Sequence, residues 1–75
     1  MKITGTMSYI KVEIDDKIVK INGEMIVGGF VAFKKSIGNW ESPFESESID
    51  ENMKEQIIRD VVNQTKDSHM VITFE

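Results

Sequence analysis

The chain holds a single histidine, His69, and no cysteine, which removes most metal and nucleophile chemistry at the outset. Structural zinc needs more cysteine or histidine ligands than are present. Asp67-Ser68-His69 has the residue types of an orienter, nucleophile and base, but those roles depend on proximity in space, and adjacent residues at a turn seldom meet in that geometry. A surface histidine is the simpler reading. Asp15-Asp16 and the glutamates around Ser46 offer oxygens to a hard cation, yet the spacing of a calcium loop is absent. Glu45 and Glu47 are paired carboxylates, suited to acid and base work only inside a cleft that raises one pKa, and their neighbours describe a solvated loop. Asn63-Gln64-Thr65 fits a glycosylation sequon, but it falls in a helical stretch and reads as chance. These residues predict a protein that is not an enzyme, with no metal and no cofactor.

Phosphate and nucleic-acid binding are disfavoured on similar grounds. Gly28-Gly29 precedes an apolar run, but neither a GxxxxGK[ST] nor a GxGxxG pattern follows, so a turn is expected there. Gly29-Phe30-Val31-Ala32-Phe33 matches the second half of the ribonucleoprotein signature of RNA-recognition motifs, whereas Ile26, Val27 and Gly28 replace the basic residue, glycine and aromatic of its first half. That fold also needs a second helix, which the pattern does not show. A formal net charge of −4 opposes phosphate as well.

A protein-binding surface remains. Trp40 and Phe44 sit in one loop with Glu41, Glu45 and Glu47 around them, and aromatic anchors inside a charged rim are how interfaces concentrate energy and orient encounter. A lone tryptophan also plugs the open end of a sheet–helix layer; both roles hold if one ring face is buried and the indole edge is exposed. Charge is segregated along the chain: residues 1–35 carry six lysines against four carboxylates, residues 36–75 three basic side chains against nine acidic ones. A field of that sign attracts basic partners, most strongly at low salt. Acids near a helix start are equally a solvated face favoured by the helix dipole.

The elements that must position this loop follow from periodicity. With 75 residues, 40% apolar and 29% charged, the chain is one small globular domain, 1–75, in which nearly every apolar residue is needed for the core. No apolar run approaches the roughly 18 residues of a membrane span, and Met1-Lys2-Ile3-Thr4-Gly5 lacks the pattern of a secretory signal, so a cytoplasmic address is expected. Ser8 to Ile14 alternates, Ile10, Val12 and Ile14 against Tyr9, Lys11 and Glu13, as a half-buried strand does. Lys2-Ile3-Thr4 extends this strand past a bulge at Gly5.

Asp15-Asp16 turns the chain into Lys17–Ile21, and Asn22-Gly23 reads as a type I′ turn into Glu24–Val27. Two-residue loops then set Val12 opposite Val19, Ile10 opposite Ile21 and Val19 opposite Ile26, so that Ile10, Val12, Ile14, Val19, Ile21 and Ile26 share one face. Phe30–Phe33 forms a fourth strand. Residues 34–47, broken by Gly38-Asn39 and Pro43, are loop. Ser48-Ile49-Asp50-Glu51 fits a capping box, and Met53, Ile57, Ile58, Val61 and Val62 make the apolar stripe of one helix of about sixteen residues. His69–Phe74 closes the chain as a strand, either antiparallel to the first or parallel to the fourth. The predicted fold is α+β: an antiparallel sheet of about five strands, in ββββαβ order, with one helix packed on one face.

Gly23-Glu24, then Lys35-Ser36-Ile37, Trp40-Glu41 with Pro43 close behind, and Ile49-Asp50-Glu51 opening the helix together resemble the immunity protein 74 family of bacterial polymorphic-toxin systems over nearly the whole chain. The resemblance implies a small α+β protein that protects the producing cell by binding and blocking a cognate toxin domain. It carries over no site residues. The expectation that Trp40, Glu41, Phe44, Glu45 and Glu47 present an exposed, acidic docking loop to a basic toxin surface rests on this sequence alone. The competing expectation is an adaptor or homodimerising domain that uses an exposed sheet edge.

Overall fold

Asp15 and Asp16 both take positive φ, 48° and 68°, the conformation of a two-residue type I′ turn whose twist matches the strands it joins. The computed structural model describes residues 1–75, and this turn joins β2 (Tyr9–Ile14) to β3 (Lys17–Ile26). Their register is the one the turn length dictates, with Val12 opposite Val19 and Ile10 opposite Ile21. All four side chains are buried.

Beyond Ile21 the expected hairpin does not form. β3 runs straight through Asn22-Gly23 to Ile26, and the reversal falls at Val27-Gly28, where Gly28 takes φ 83°, before β4 (Gly29–Ala32). The reason is one of faces. A turn at Asn22-Gly23 would set Glu24 opposite Ile21 on the buried side, and an unpaired buried carboxylate is costly. Continuing the strand turns Glu24 outward and sets Met25 opposite Phe30 and Gly23 opposite Ala32. The pairing of Val19 with Ile26 is therefore corrected, and Ile26 stands half-exposed on the outer face.

The opening residues are also a strand of their own, β1 (Lys2–Gly5), folded back antiparallel onto β2 with Ile3 opposite Val12. They do not extend β2 through a bulge. One strand gained at the start and two predicted strands fused keep the expected number and the ββββαβ order.

The sheet order is β1-β2-β3-β4-β5, with β5 (Val71–Phe74) parallel to β4 through the pairs Gly29–Val71 and Ala32–Phe74. The chain crosses over by α1 (Glu51–Thr65), as a parallel pair requires. Ile57 and Val61 of α1 join Ile10, Val12, Val19, Ile21, Phe30 and Ile72 in one core, with Met53 and Ile58 packed against it. Each side chain so buried contributes roughly 1.5–3 kcal/mol.

The helix start is two residues later than the capping box implies. Asp50 is the N-cap, its carboxylate accepting a 2.8 Å hydrogen bond from the Met53 amide, while Ser48 is bridged to Asn39 and belongs to the preceding loop. At the other end the buried Thr65 hydroxyl donates to the Val61 carbonyl and accepts from the Ile72 amide. One hydroxyl thereby fastens the last turn of α1 to β5.

Candidate partner-binding loop

β4 covers only the second half of one edge of β3, so the outward-pointing backbone groups of the first half need other partners. The segment after β4 supplies them. Asn22 accepts from the Phe33 amide and donates to the Ser36 hydroxyl, in a single 3-10 turn at Lys34–Ser36; further along, the Glu41 amide donates to the Ile18 carbonyl at 2.7 Å. The loop is laid against the strand edge in place of another strand.

Its inner side is apolar. Ile37 and Trp40 are buried in the core, Trp40 at 7% exposure, and Phe44 is half-buried against the same cluster. Of the two roles open to Trp40 the structure shows the plug, with little of the indole edge left at the surface: the ring fills the layer between sheet and loop, because a domain this small has few large side chains to spare. Hydrogen bonds knit the rest. The Trp40 amide donates to the Glu47 carbonyl, the Phe44 amide to Glu41, the Glu47 amide to Phe44 and the Ile49 amide to Gly38. The Asn39 side chain donates to the Glu45 carbonyl, and the Ser42–Pro43 peptide is cis.

The outer side carries the carboxylates. Glu41 lies 3.3 Å from the Lys11 ammonium on β2, and Glu47 lies 2.7 Å from that of Lys17 at the start of β3. Glu45 is exposed and makes no ion pair. Asp50 and Glu51 continue the acidic surface onto the first turn of α1. The structure thus brings all five predicted site residues into one folded loop, with Trp40 inside, Phe44 at the boundary and the three glutamates outside.

The motifs set aside in the sequence stay apart from any site geometry. Ser68 donates its hydroxyl to the Thr65 and Met70 carbonyls and none of its hydrogen bonds reaches His69. No group of three histidine, aspartate or glutamate side chains is placed to hold a metal ion. Phe30 of the ribonucleoprotein-like stretch is core, at 1% exposure. No helix is long and apolar enough to cross a membrane.

One feature went unread in the sequence. Met7, Met25, Ile26, Val27 and Met70 are exposed; Met7 and Met25 share a backbone hydrogen bond, and Met25 and Met70 line one cleft of about 350 Å³ with Ile3, Ile10, Phe30 and Ile72. Placing the turn at Asn22-Gly23 hid this grouping by assigning Met25 to the wrong face.

The fold is an α+β layer whose acid-edged loop is tied to the free edge of β3. Compared with known families, residues 2–75 match the family described as Immunity protein 74. The chain belongs to that family and is an immunity protein, a class that generally acts on a toxin partner and without catalysis. Searches of curated proteins and of solved structures found no significant match.

Proposed function

We propose that this immunity protein binds and blocks its cognate toxin domain without chemistry of its own, and that the outer side of the loop at Glu41, Glu45 and Glu47 docks a basic surface of that toxin. The observation carrying this reading is the loop itself, whose backbone is tied to β3 and to its own ends, with Glu45 exposed and unpaired and the Glu41 and Glu47 carboxylates held at its outer side in partly exposed pairs with Lys11 and Lys17. A surface ordered before binding loses little conformational entropy on association, so more of the contact energy appears as affinity. Trp40 and Phe44 serve from within, as the packing that holds the loop's shape.

The net charge of −4 steers a cationic partner toward this face and speeds encounter. Where the toxin acts on a phosphate-bearing substrate, a row of carboxylates occupies the same basic groove, and occupation alone is inhibition.

The test is stopped-flow association with the cognate toxin domain, across a salt series. Changing Glu41, Glu45 and Glu47 together to glutamine is expected to slow association by about tenfold at low salt and to flatten its salt dependence. Circular dichroism checks that the fold is kept. Unchanged kinetics in a folded variant reject this loop as the docking site.

A further inference from the structure

We infer that Lys17 is the positioning residue of the docking loop, an inference that rests on the docking reading above. Lys17 is the first residue of β3, paired with Ile14 directly after the Asp15-Asp16 turn, so its backbone is fixed by the best-defined hairpin in the fold. Its half-buried ammonium reaches across to the loop, 2.7 Å from Glu47 Oε1. The same ammonium lies 5.1 Å from the centroid of the Phe44 ring and 5.9 Å from that of Trp40. Both separations fall within the range in which an aromatic face attracts a cation.

The placement matters because of where these residues lie in the loop. Trp40 and Glu47 are the residues at which it closes on itself, the Trp40 amide donating to the Glu47 carbonyl at 3.3 Å. That hydrogen bond is long; the Ile49 amide bonded to Gly38 and the Asn39 side chain bonded to Glu45 close the same mouth, and a charged side-chain fastening adds to them. Lys17 supplies it from outside, through one contact to the carboxylate on one limb and others to the rings on the inner side. Lys11, by contrast, pairs with Glu41 alone; both ion pairs are partly exposed, where such a pair by itself contributes little, and only Lys17 adds the rings of Phe44 and Trp40 to its carboxylate. Lys17 therefore sets the direction in which Glu47 points and holds the limb that carries it against the rings.

The substitution that isolates this role is Lys17→Met, which keeps the apolar stem against the rings and removes the charge. In the free chain, amide exchange at Trp40 and Glu47 is expected to quicken by about tenfold, the combined effect of one half-exposed ion pair and the cation–ring contacts. The β2–β3 ladder amides keep their protection, and acrylamide quenching of Trp40 rises. With the cognate toxin domain, dissociation is expected to quicken, because a disordered surface has to be ordered in the complex, while the lost positive charge beside Glu47 keeps electrostatic encounter from slowing. Lys17→Arg, which retains the cation, restores both.

Unchanged loop exchange in Lys17→Met overturns the positioning role whatever the binding result. Quickened loop exchange with unaltered toxin kinetics overturns it as a role in docking and places the error in the choice of docking surface. Uniform loss of protection across the sheet assigns Lys17 to general stability and overturns it as well.

Discussion

Replacing Gly23 by alanine adds one methyl group to the middle of β3, and the surroundings decide its effect. A Cβ built at Gly23 lies inside the contact distance of the Val31 carbonyl oxygen and of two Phe30 ring carbons. The oxygen is β4 backbone, held by the pairing of Glu24 with Val31, and the ring is 1% exposed. Neither gives way cheaply, so β3 and β4 have to part. Overpacking of this kind costs about 3 kcal/mol, against a total stability of roughly 4–11 kcal/mol for a domain of this length. The expected fall in melting temperature is about 12–24 °C. Urea unfolding followed by Trp40 fluorescence and by circular dichroism measures the loss, with Gly28→Ala as the comparison. Gly28 has open space around its position and only a positive φ to strain an alanine, a penalty of about 1 kcal/mol. If Gly23→Ala unfolds within about 1 kcal/mol of the parent chain, or no earlier than Gly28→Ala, then the glycine is not there to admit Phe30 and the account of β3 is wrong.

Asp50→Ala is expected to cost about 1 kcal/mol through loss of the helix cap, and Ser48→Ala less than half of that; the reverse order in urea unfolding would restore the serine capping box. Thr65→Val leaves the Ile72 amide buried without an acceptor and is expected to cost roughly 1–3 kcal/mol, while Thr65→Ser, which keeps the hydroxyl, stays closer to the parent chain in the same assay. The triple glutamine variant of Glu41, Glu45 and Glu47 is read through the salt dependence of association, and Lys17→Met through loop exchange and dissociation, with the outcomes given above.

Alternation of apolar residues and the length of the Asp15-Asp16 turn made the β2–β3 register legible, since only one count of a two-residue loop puts Ile10, Val12, Val19 and Ile21 together. The stripe of Met53, Ile57 and Val61 was legible for the same reason. Asn22-Gly23 misled because a favourable turn dipeptide is a local preference, and the free energy of keeping Glu24 in water and Phe30 in the core outweighs it. β5 could not be placed from periodicity, because its partner is decided by how α1 crosses the sheet and not by any property of residues 71–74. In the loop the residue types were readable and their directions were not. Ring burial at Trp40 and the lysine partners of Glu41 and Glu47 come from strands distant in sequence, which no local pattern encodes.

The segment after β4 performs two duties on its two sides. Inwardly, Ile37, Trp40 and the backbone bonds to Ile18 and Asn22 close a border of the sheet that would otherwise invite pairing with another molecule. Outwardly, the side chains of Glu41, Glu45 and Ser46 contribute little to that closure. They are free to be exchanged without reopening the border, so under the proposed docking role selection for a new adversary rewrites what the loop displays while the scaffold beneath stays the same. Transplanting the outward residues of a relative with a different target is the engineering counterpart, and it should redirect recognition at almost no expense in folding.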